Sequence, residues 1–342
     1  MMDKKVIAID GMGGDYAPVA VFDGIALGGF NDCHFLIYGD QKKLDACAQK
    51  LPSSVSFEIR HADMAVTSEM DISALRSARK SGLGLAIQAV KDGEAQAVIS
   101  SGNTGLYFAL AKIILKTMDG IDRPALATVL PGKKHDSICL DLGANADCKA
   151  RNLMDFAVLG EALARCVFHK DDVSIGLLNI GSEDYKGNAL VKESAKIFKQ
   201  AFPNYIGFVE GDGICAGDAD VIVTDGFTGN VALKSIEGAA KFMGSELKSA
   251  LKSSWISMVG ACLAKSGLAK LKKRMDPRLY NGAIFAGLNG VVVKSHGNSD
   301  GVGFCNAVNF TINTLKQNMN QQVRDQLEKI KHHYEFIEEN NQ

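Results

Sequence analysis

The stretch VIVTDGFTGN, residues 221–230, joins a short β-branched run to a turn of aspartate, glycine, threonine and asparagine. The same order of strand, small polar turn and apolar helix recurs in AVISSGNTGLYFALAKII, residues 97–114. A strand that leads directly into a helix leaves the first N–H groups of that helix unpaired at the carboxyl edge of the sheet, where they can bind an anion. The alternative is simple capping of both helices by the polar residues of the turns. Those residues are Ser100, Ser101, Thr104, Asp225 and Thr228.

Apolar and β-branched runs predict strands along most of the chain, and helical stretches separate most of them. The runs are residues 6–10, 34–39, 56–61, 97–101, 125–130, 137–143, 174–181, 221–226 and 290–297. Continuous rather than alternating apolar strands indicate a mostly parallel sheet that helices cover on both faces. The predicted fold class is therefore α/β, a three-layer α/β/α sandwich.

The domain organisation follows from what interrupts the chain. No proline- or serine-rich linker divides residues 1–342, so we expect a single α/β domain. A helical excursion, a pair of helices, is predicted at about residues 232–280, and a polar helical tail at about 318–342. Apolar residues spaced four and three apart predict that the tail packs on another surface. They are Val323, Leu327, Ile330, Tyr334 and Ile337.

Six predicted strands end in polar, glycine-rich segments. They lie at residues 10–15, 100–105, 141–145, 179–188, 225–230 and 294–301. Ligands bind at the carboxyl ends of parallel strands, and one capping residue per junction would suffice for structure. We therefore expect the six ends to line one extended cleft on one edge of the sheet. The candidate substrate- and phosphate-binding residues are Asp10, Gly11, Gly13, Gly14, Asp15, Ser101, Gly102, Asn103, Thr104, Gly105, Asn145, Gly187, Asn188, Asp225, Gly226, Thr228 and Gly229.

Charge and composition limit the partners and the compartment. Lys plus Arg total 38 and Asp plus Glu total 39, so no overall field draws the chain to nucleic acid, and none is expected as a partner. The eight cysteines contain no C-x-x-C pair, which is typical of reduced, buried residues in a cytosolic protein. A strand-like run begins too early for a signal peptide, and no apolar stretch reaches the roughly 18 residues of a membrane span. We expect a cytoplasmic protein.

Several catalytic motifs can be tested against the sequence. The G-x-x-x-x-G-K-[ST], G-x-G-x-x-G and H-E-x-x-H motifs are absent. A G-x-S-x-G motif would make Ser299 the nucleophile of an α/β-hydrolase, but the later histidines, His332 and His333, lie in the charged tail, so this alternative is remote. Asp10 and Asp15 flank a glycine turn without a third acidic ligand nearby, so we expect neither a metal nor another cofactor.

Three further features each have a structural and a functional interpretation. Lys186, in EDYKGN, is either solvated or a point charge directed at an anion. His296, in KSHGNSD, is either a hydrogen-bonded structural residue or a proton donor. Residues 253–278 combine an apolar stripe with a lysine cluster, which fits a helix at a membrane surface or an ordinary packing helix with a solvated basic end.

The polar segments resemble, in order and over about residues 6–315, the bacterial phosphate acyltransferase family PlsX. The shared motifs are IAIDGMGGDYAP, SGNTG, LDLGAN, NIGSEDYKGN, EGDG, DVIVTDGFTGNVALK and NGVVVKSHGNSD. Ser101 stands where the family more often has alanine, LPGKK at residues 130–134 departs from the usual turn, and the tail after about residue 318 carries no family signal.

This resemblance implies an enzyme that transfers a fatty acyl group from the thioester of acyl carrier protein to inorganic phosphate, giving acyl phosphate for phospholipid synthesis. It also implies an isocitrate dehydrogenase-like fold with a protruding helical hairpin, and a homodimer. Peripheral contact with an anionic membrane would involve Trp255, Ile256 and Val259, and the product would pass to a membrane glycerol-3-phosphate acyltransferase.

The same resemblance suggests roles for three side chains. Lys186 would neutralise charge as phosphate attacks, and Asn230 would donate a hydrogen bond to the thioester oxyanion. His296 would protonate the departing thiolate. Two other functions stay open: a phosphotransacetylase-type enzyme that uses coenzyme A thioesters, and a non-catalytic membrane scaffold.

Overall fold

The computed structural model describes residues 4–67 and 69–332, in which strands and helices alternate. The strands are β1 (Lys5–Asp10), β2 (Cys33–Gly39), β3 (Ser56–His61), β4 (Ala97–Ser100), β5 (Ala125–Leu130), β6 (Ser137–Leu140), β7 (Ile175–Leu178), β8 (Tyr205–Val209), β9 (Val221–Val223), β10 (Ala283–Ala286) and β11 (Val291–Lys294). The α-helices are α1 (Val19–Gly28), α2 (Gln41–Ala48), α3 (Leu75–Ala78), α4 (Gly82–Lys91), α5 (Thr104–Leu115), α6 (Ala150–Phe168), α7 (Ala189–Ala201), α8 (Gly211–Ala216), α9 (Gly226–Lys252), α10 (Trp255–Leu263), α11 (Lys265–Arg274), α12 (Gly301–Lys316) and α13 (Met319–Lys329).

All of these strands belong to one sheet, in the order β3-β2-β1-β4-β11-β10-β5-β6-β9-β7-β8. Strands β1, β2, β3, β4 and β11 run parallel to one another, and so do β6, β7, β8 and β9. Strand β10 is antiparallel to both β11 and β5, and β5 is antiparallel to β6. The two parallel groups therefore run in opposite directions within one mostly parallel sheet.

Helices cover both faces of the sheet because successive strand residues point to opposite sides. In β1, Ile7 and Ile9 join the core that α1, α6 and α12 pack against, whereas Ala8 joins the core beneath α4 and α5. A third cluster places Ile222 of β9 against Leu233 of α9. The three-layer α/β/α sandwich is thus confirmed, while its description as a single domain stays a prediction.

The helical excursion differs from the expected pair of helices. It begins within the DGFTGN turn itself, because Gly226 is the first residue of the 27-residue helix α9, and it continues through α10 and α11. No residue of α10 or α11 is buried. Among the described residues, no helix is both long enough and apolar enough to cross a membrane.

The tail packs as its spacing predicts. Helix α13 lies against α6, with Val323 and Ile330 buried in the main core. Tyr334 and Ile337, with the rest of the chain from residue 333, lie outside the described residues. The expectation that the cysteines are buried holds for several of them, but Cys215 and Cys262 are exposed.

Candidate active site

The ends of β1, β4 and β11 are joined by hydrogen bonds into one group, here called the Asp10 cluster (residues 10–15, 100–105 and 294–301). The carboxylate of Asp10 is buried and accepts a hydrogen bond from Ser100 Oγ at 2.7 Å and from the Met12 N–H at 3.3 Å. The Asp15 N–H donates to the carbonyl of Gly297 at 2.8 Å. These contacts bring three of the predicted polar segments together.

Glycines are required in this cluster because its backbones approach one another closely. A Cβ at Gly13 would lie 2.4 Å from Asp10 Oδ2 and 2.8 Å from the backbone nitrogen of Gly102. Gly14 has φ +105°, and a Cβ there would lie 2.7 Å from the Cβ of Ser101. Positive φ and contacts of this length exclude other residues without local rearrangement.

Lys294, which ends β11, is a buried cation that the sequence analysis did not select. Its side chain amine donates to the carbonyl of Ser295, and within the described residues it forms no ion pair with a carboxylate. Burial lowers the pKa of Lys294 to about 8, although Asp10 and Asp15 attract the charged form. Burial also raises the pKa of Asp10, against the hydrogen bond from Ser100. A lysine at the end of the otherwise apolar strand VVVK was the available signal.

A second group, the Asp141 cluster (residues 141–145 and 225–230), follows strands β6 and β9. The fully buried carboxylate of Asp141 accepts hydrogen bonds from the N–H groups of Leu126, Gly143 and Ala144 at 3.0–3.1 Å. The Asn145 N–H donates to it at 2.7 Å. Burial raises the pKa of this carboxyl, and the hydrogen bonds oppose the shift. These N–H groups of LDLGAN therefore bind Asp141 rather than a ligand.

Asn145 connects this turn to helix α9. Its Nδ2 donates to the Pro124 carbonyl and to Asp141 Oδ2, each at 2.8 Å, and its own carbonyl accepts the Gly226 N–H at 2.8 Å. The side-chain nitrogen Nδ2 of Asn145 thus donates its hydrogen bonds to other groups of the protein. A Cβ at Gly229 would lie 1.9 Å from the Asp141 carbonyl oxygen, so this glycine permits helix α9 to pack against the turn.

Capping accounts for several of the candidate residues. Asp225 Oδ1 accepts the Thr228 N–H at 2.8 Å at the start of α9. Asn103 Oδ1 accepts the Leu106 N–H at 3.1 Å at the start of α5, and Asn188 caps α7. The first turns of these helices therefore keep only part of their N–H groups for a ligand.

Two predicted catalytic residues follow neighbouring strands in the second half of the sheet. Asn230 is exposed on the first turn of α9, with its side chain over Gly143. Lys186 follows β7 and forms an ion pair with Glu183 Oε2 at 2.8 Å, and that hydrogen bond raises the pKa of Lys186. An anion at Lys186 would therefore compete with Glu183.

The third predicted catalytic residue, His296, belongs to the Asp10 cluster. It is exposed, and its backbone N–H donates to Asn281 Oδ1 at 2.9 Å. Asn281 Nδ2 also donates to Ser295 Oγ at 2.8 Å and to Ser299 Oγ at 3.0 Å. Asn281, which sequence reasoning missed, thus supports this loop. Ser299 is buried, and among the described residues its hydroxyl hydrogen-bonds with Asn281 and Ser295 and not with a histidine side chain, so a hydrolase triad finds no support there.

The expectation that all six strand ends share one edge is wrong. Strands β1, β4 and β11 run opposite to β6, β7 and β9, because three successive antiparallel pairings lie between the two groups: β11 with β10, β10 with β5, and β5 with β6. The predicted residues therefore divide into the Asp10 cluster and the ends of the second parallel group.

Two other features complete the description. Across residues 4–67 and 69–332, no group of three or more His, Cys, Asp or Glu side chains could hold a metal ion. A cavity of about 500 Å³ adjoins the SGNTG turn. It is lined by Met70, Asp71, Ser73, Asn103, Gly105 and Leu106.

Comparison with known proteins identifies the family. Residues 5–322 match the family described as "Fatty acid synthesis protein". A phosphate acyltransferase from Rhodospirillum rubrum is 48% identical over 336 residues, which cover 96% of both chains. One from Granulibacter bethesdensis is 44% identical over 96% of this chain and 90% of its own. The chain belongs to the phosphate acyltransferase family. It is an acyltransferase, which confirms the resemblance and excludes the non-catalytic scaffold.

Solved structures support the same fold at low identity. A phosphotransacetylase from Streptococcus pyogenes aligns with a TM-score of 0.62 at 16% identity, over 93% of this chain and 95% of its own. A 4-hydroxythreonine-4-phosphate dehydrogenase from Klebsiella pneumoniae aligns with a TM-score of 0.50 at 12% identity, over 90% and 99%. At these identities the likeness concerns the α/β fold alone.

Proposed function

We propose that this acyltransferase moves a fatty acyl group from acyl carrier protein to inorganic phosphate, and that the acyl phosphate serves phospholipid synthesis. The observation that supports this most is the 48% identity to a phosphate acyltransferase over almost the whole chain. The identity of the acyl donor, acyl carrier protein, is part of the proposal.

The chemistry requires no covalent enzyme intermediate. A phosphate oxygen attacks the thioester carbonyl carbon, the new C–O bond forms, and the C–S bond breaks to release a thiolate that then takes up a proton. The thiol of Cys148 donates a hydrogen bond to the carbonyl of Asn145 in the Asp141 cluster, and burial raises the pKa of this thiol to about 11. Because the thiolate is the reactive form, Cys148 is a poor nucleophile at neutral pH. Positioning of phosphate against the thioester supplies the catalysis.

We infer that both clusters border one cleft despite their opposite strand directions. Neighbouring strands in a sheet rotate by roughly 20–25°. Five steps separate β4 from β9 in the strand order, so the twist accumulates to roughly 100–125°. A rotation of this size turns the two opposed carboxyl edges towards the same side of the molecule.

The three predicted catalytic residues take distinct roles in this scheme. Asn230, exposed at the start of α9, donates to the oxyanion that forms from the thioester carbonyl. Lys186 leaves its ion pair with Glu183 and neutralises the negative charge that develops as phosphate attacks the thioester. His296, exposed beside the Asp10 cluster, protonates the departing thiolate.

Helices α9 to α11 support a homodimer with a peripheral membrane contact. Phe242 and Met243 on α9 expose more than half of their surface, as do Trp255, Ile256 and Val259 on α10. Exposed apolar groups of this extent are typical of interaction surfaces. We propose that a second copy covers α9, and that α10 enters an anionic membrane and delivers acyl phosphate to a membrane glycerol-3-phosphate acyltransferase.

The basic residues of α11 support the membrane contact, with one exception. Arg274 donates to the carbonyl of Gly132, so its guanidinium is partly engaged within the protein. Lys265, Lys270, Lys272 and Lys273 are exposed and remain available for lipid phosphates.

A comparison of acyl donors tests the proposed function. Purified protein is assayed with palmitoyl acyl carrier protein and with acetyl coenzyme A at equal concentrations, with inorganic phosphate as the acceptor. Faster turnover of the carrier-bound acyl group supports the proposal. Faster turnover of acetyl coenzyme A would indicate a phosphotransacetylase-type donor instead.

A further inference from the structure

Lys294 has no role in the scheme above, yet its environment requires an explanation. The residue is 8% exposed, and its side-chain amine donates to the carbonyl of the adjacent Ser295. Within the described residues it has no carboxylate within ion-pairing distance. Taking an ammonium group out of water without a close counter-ion is costly, so such a residue persists where an anion compensates it or where function requires it.

Two carboxylates attract the charge of Lys294 without neutralising it. Asp10 and Asp15 attract its charge, but burial outweighs them. The oxygens of Asp10 are engaged by Ser100 Oγ and by the Met12 N–H. An ammonium group has three N–H donors, and Lys294 uses one of them within the part of the chain that the structure describes, which leaves donor capacity for a ligand.

The position of Lys294 in the sheet places it among the glycine turns. It pairs in register with Ser100 of β4, whose side chain binds the Asp10 carboxylate. Gly13 and Gly102 pack backbone against backbone at the adjoining strand ends. Turns without side chains allow an anion to approach backbone N–H groups closely.

We propose that Lys294 binds the phosphate acceptor in the Asp10 cluster, by donating a hydrogen bond to a phosphate oxygen and supplying positive charge to the attacking dianion. This assignment rests on the proposed function and deepens it. Phosphate then enters at the ends of β4 and β11, while Asn230 and Lys186 act on the thioester. The competing explanation is that Lys294 only balances the charge of Asp10.

Steady-state kinetics of matched lysine variants separate these explanations. Lys294→Met removes the charge, Lys294→Arg retains it, and Lys91→Met removes an exposed lysine at the end of α4 as a control. For Lys294→Met we expect the phosphate KM to rise at least about tenfold, as loss of a hydrogen bond to a charged group does, while the KM for palmitoyl acyl carrier protein changes less than about twofold. Lys294→Arg should recover part of the loss, and Lys91→Met should match the wild type.

Several outcomes would overturn the assignment. An unchanged phosphate KM in folded Lys294→Met does so, and so does an equal rise in both KM values, which indicates a structural role. If the methionine variant does not fold, Lys294→Gln replaces it; glutamine removes the charge but keeps an N–H donor, so the phosphate KM should rise in the same direction by a smaller factor. A wild-type protein that forms no acyl phosphate refutes the proposed function, whereas an active wild type with a normal phosphate KM in Lys294→Met refutes the lysine assignment alone.

Discussion

Replacing Lys294 with methionine should stabilise the folded protein while it impairs phosphate use. Methionine has a similar length, and it carries no charge to be buried. The pKa of Lys294 falls from 10.5 to about 8, and this value already includes the attraction of Asp10 and Asp15. Each tenfold change in proton affinity corresponds to about 1.4 kcal/mol, so the charged lysine destabilises the folded state by about 3 kcal/mol at neutral pH.

The pH dependence of this effect has a definite sign. Below about pH 8, Lys294 is protonated in both the folded and the unfolded chain, and the buried charge destabilises the folded state by the full amount. Between about pH 8 and 10.5 the folded protein has released the proton while the unfolded chain still holds it, so the stability of the wild type rises with pH. The advantage of Lys294→Met should therefore be largest near pH 7 and shrink across this interval.

Differential scanning calorimetry without phosphate measures the stability difference. An unfolding entropy of roughly 2.1 cal/mol/K per residue over a chain of this length converts 3 kcal/mol into a rise in Tm of roughly 4 °C. A Tm for Lys294→Met below that of the wild type at pH 7 would refute the reasoning. It would show that Lys294 stabilises the Asp10 cluster in the absence of a bound anion.

Three further predictions concern other parts of the molecule. Lys186→Ala should lower turnover at least about tenfold, because one charge-stabilising contact to a transition state commonly contributes a few kcal/mol, as measured by acyl phosphate release. Gly229→Val should destabilise the protein rather than selectively weaken phosphate binding, because a Cβ would lie 1.9 Å from the Asp141 carbonyl, and urea denaturation should show a lower midpoint. Changing Trp255, Ile256 and Val259 together to serine should release the protein from anionic liposomes and leave soluble acyl transfer intact, as measured by co-sedimentation.

Each of these has a control and a contrary outcome. Wild-type turnover in folded Lys186→Ala would remove that residue from the mechanism. Gly105→Ala, whose Cβ would contact Asn103 Oδ1 at 3.5 Å, should unfold at or above the wild-type midpoint, because alanine favours a helix more than glycine does. A stable Gly229→Val would contradict the packing argument. For the membrane contact, Leu27→Ser on α1 is the control, since Leu27 is also exposed. A triple variant that still sediments with vesicles at physiological salt would show that the apolar side chains of α10 are not the contact.

Sequence patterns predicted most of the sheet because buried parallel strands are continuous apolar runs. Residues 56–61 and 125–130 match β3 and β5 residue for residue. Strands β8 and β10 were missed. The YIGFV run of β8 is partly exposed and contains a glycine, and AIFA of β10 is only four residues long between Gly282 and Gly287.

The reversal of the sheet could not be read from the sequence, because strand direction depends on which strands pair. The missed strand β10 takes part in two of these three antiparallel pairings, so the six polar ends appeared to share one edge. The glycine turns were found from their composition alone. Which of them bind a carboxylate of the protein itself, as the turn at Asp141 does, depends on burial and distance.

The site residues divide in a similar way. Capping by Asp225 follows from local residue preferences and was recognised as an alternative to ligand binding. In the other turn the cap of α5 is Asn103, whereas the sequence analysis named Ser100, Ser101 and Thr104. Lys294 and Asn281 were missed because their significance lies in burial and in contacts between distant segments. A lysine in a strand is ordinary until the structure shows that it is buried without a close counter-ion.

The most direct test of acyl transfer from carrier protein to phosphate is product formation in a defined mixture. Purified protein is incubated with palmitoyl acyl carrier protein, with and without inorganic phosphate, and the products are followed by ³¹P NMR and by the release of free carrier thiol. We predict palmitoyl phosphate and an equal amount of free thiol in the presence of phosphate, and neither without it. Thiol release that is independent of phosphate, or no acyl phosphate at any phosphate concentration, would contradict the proposed function.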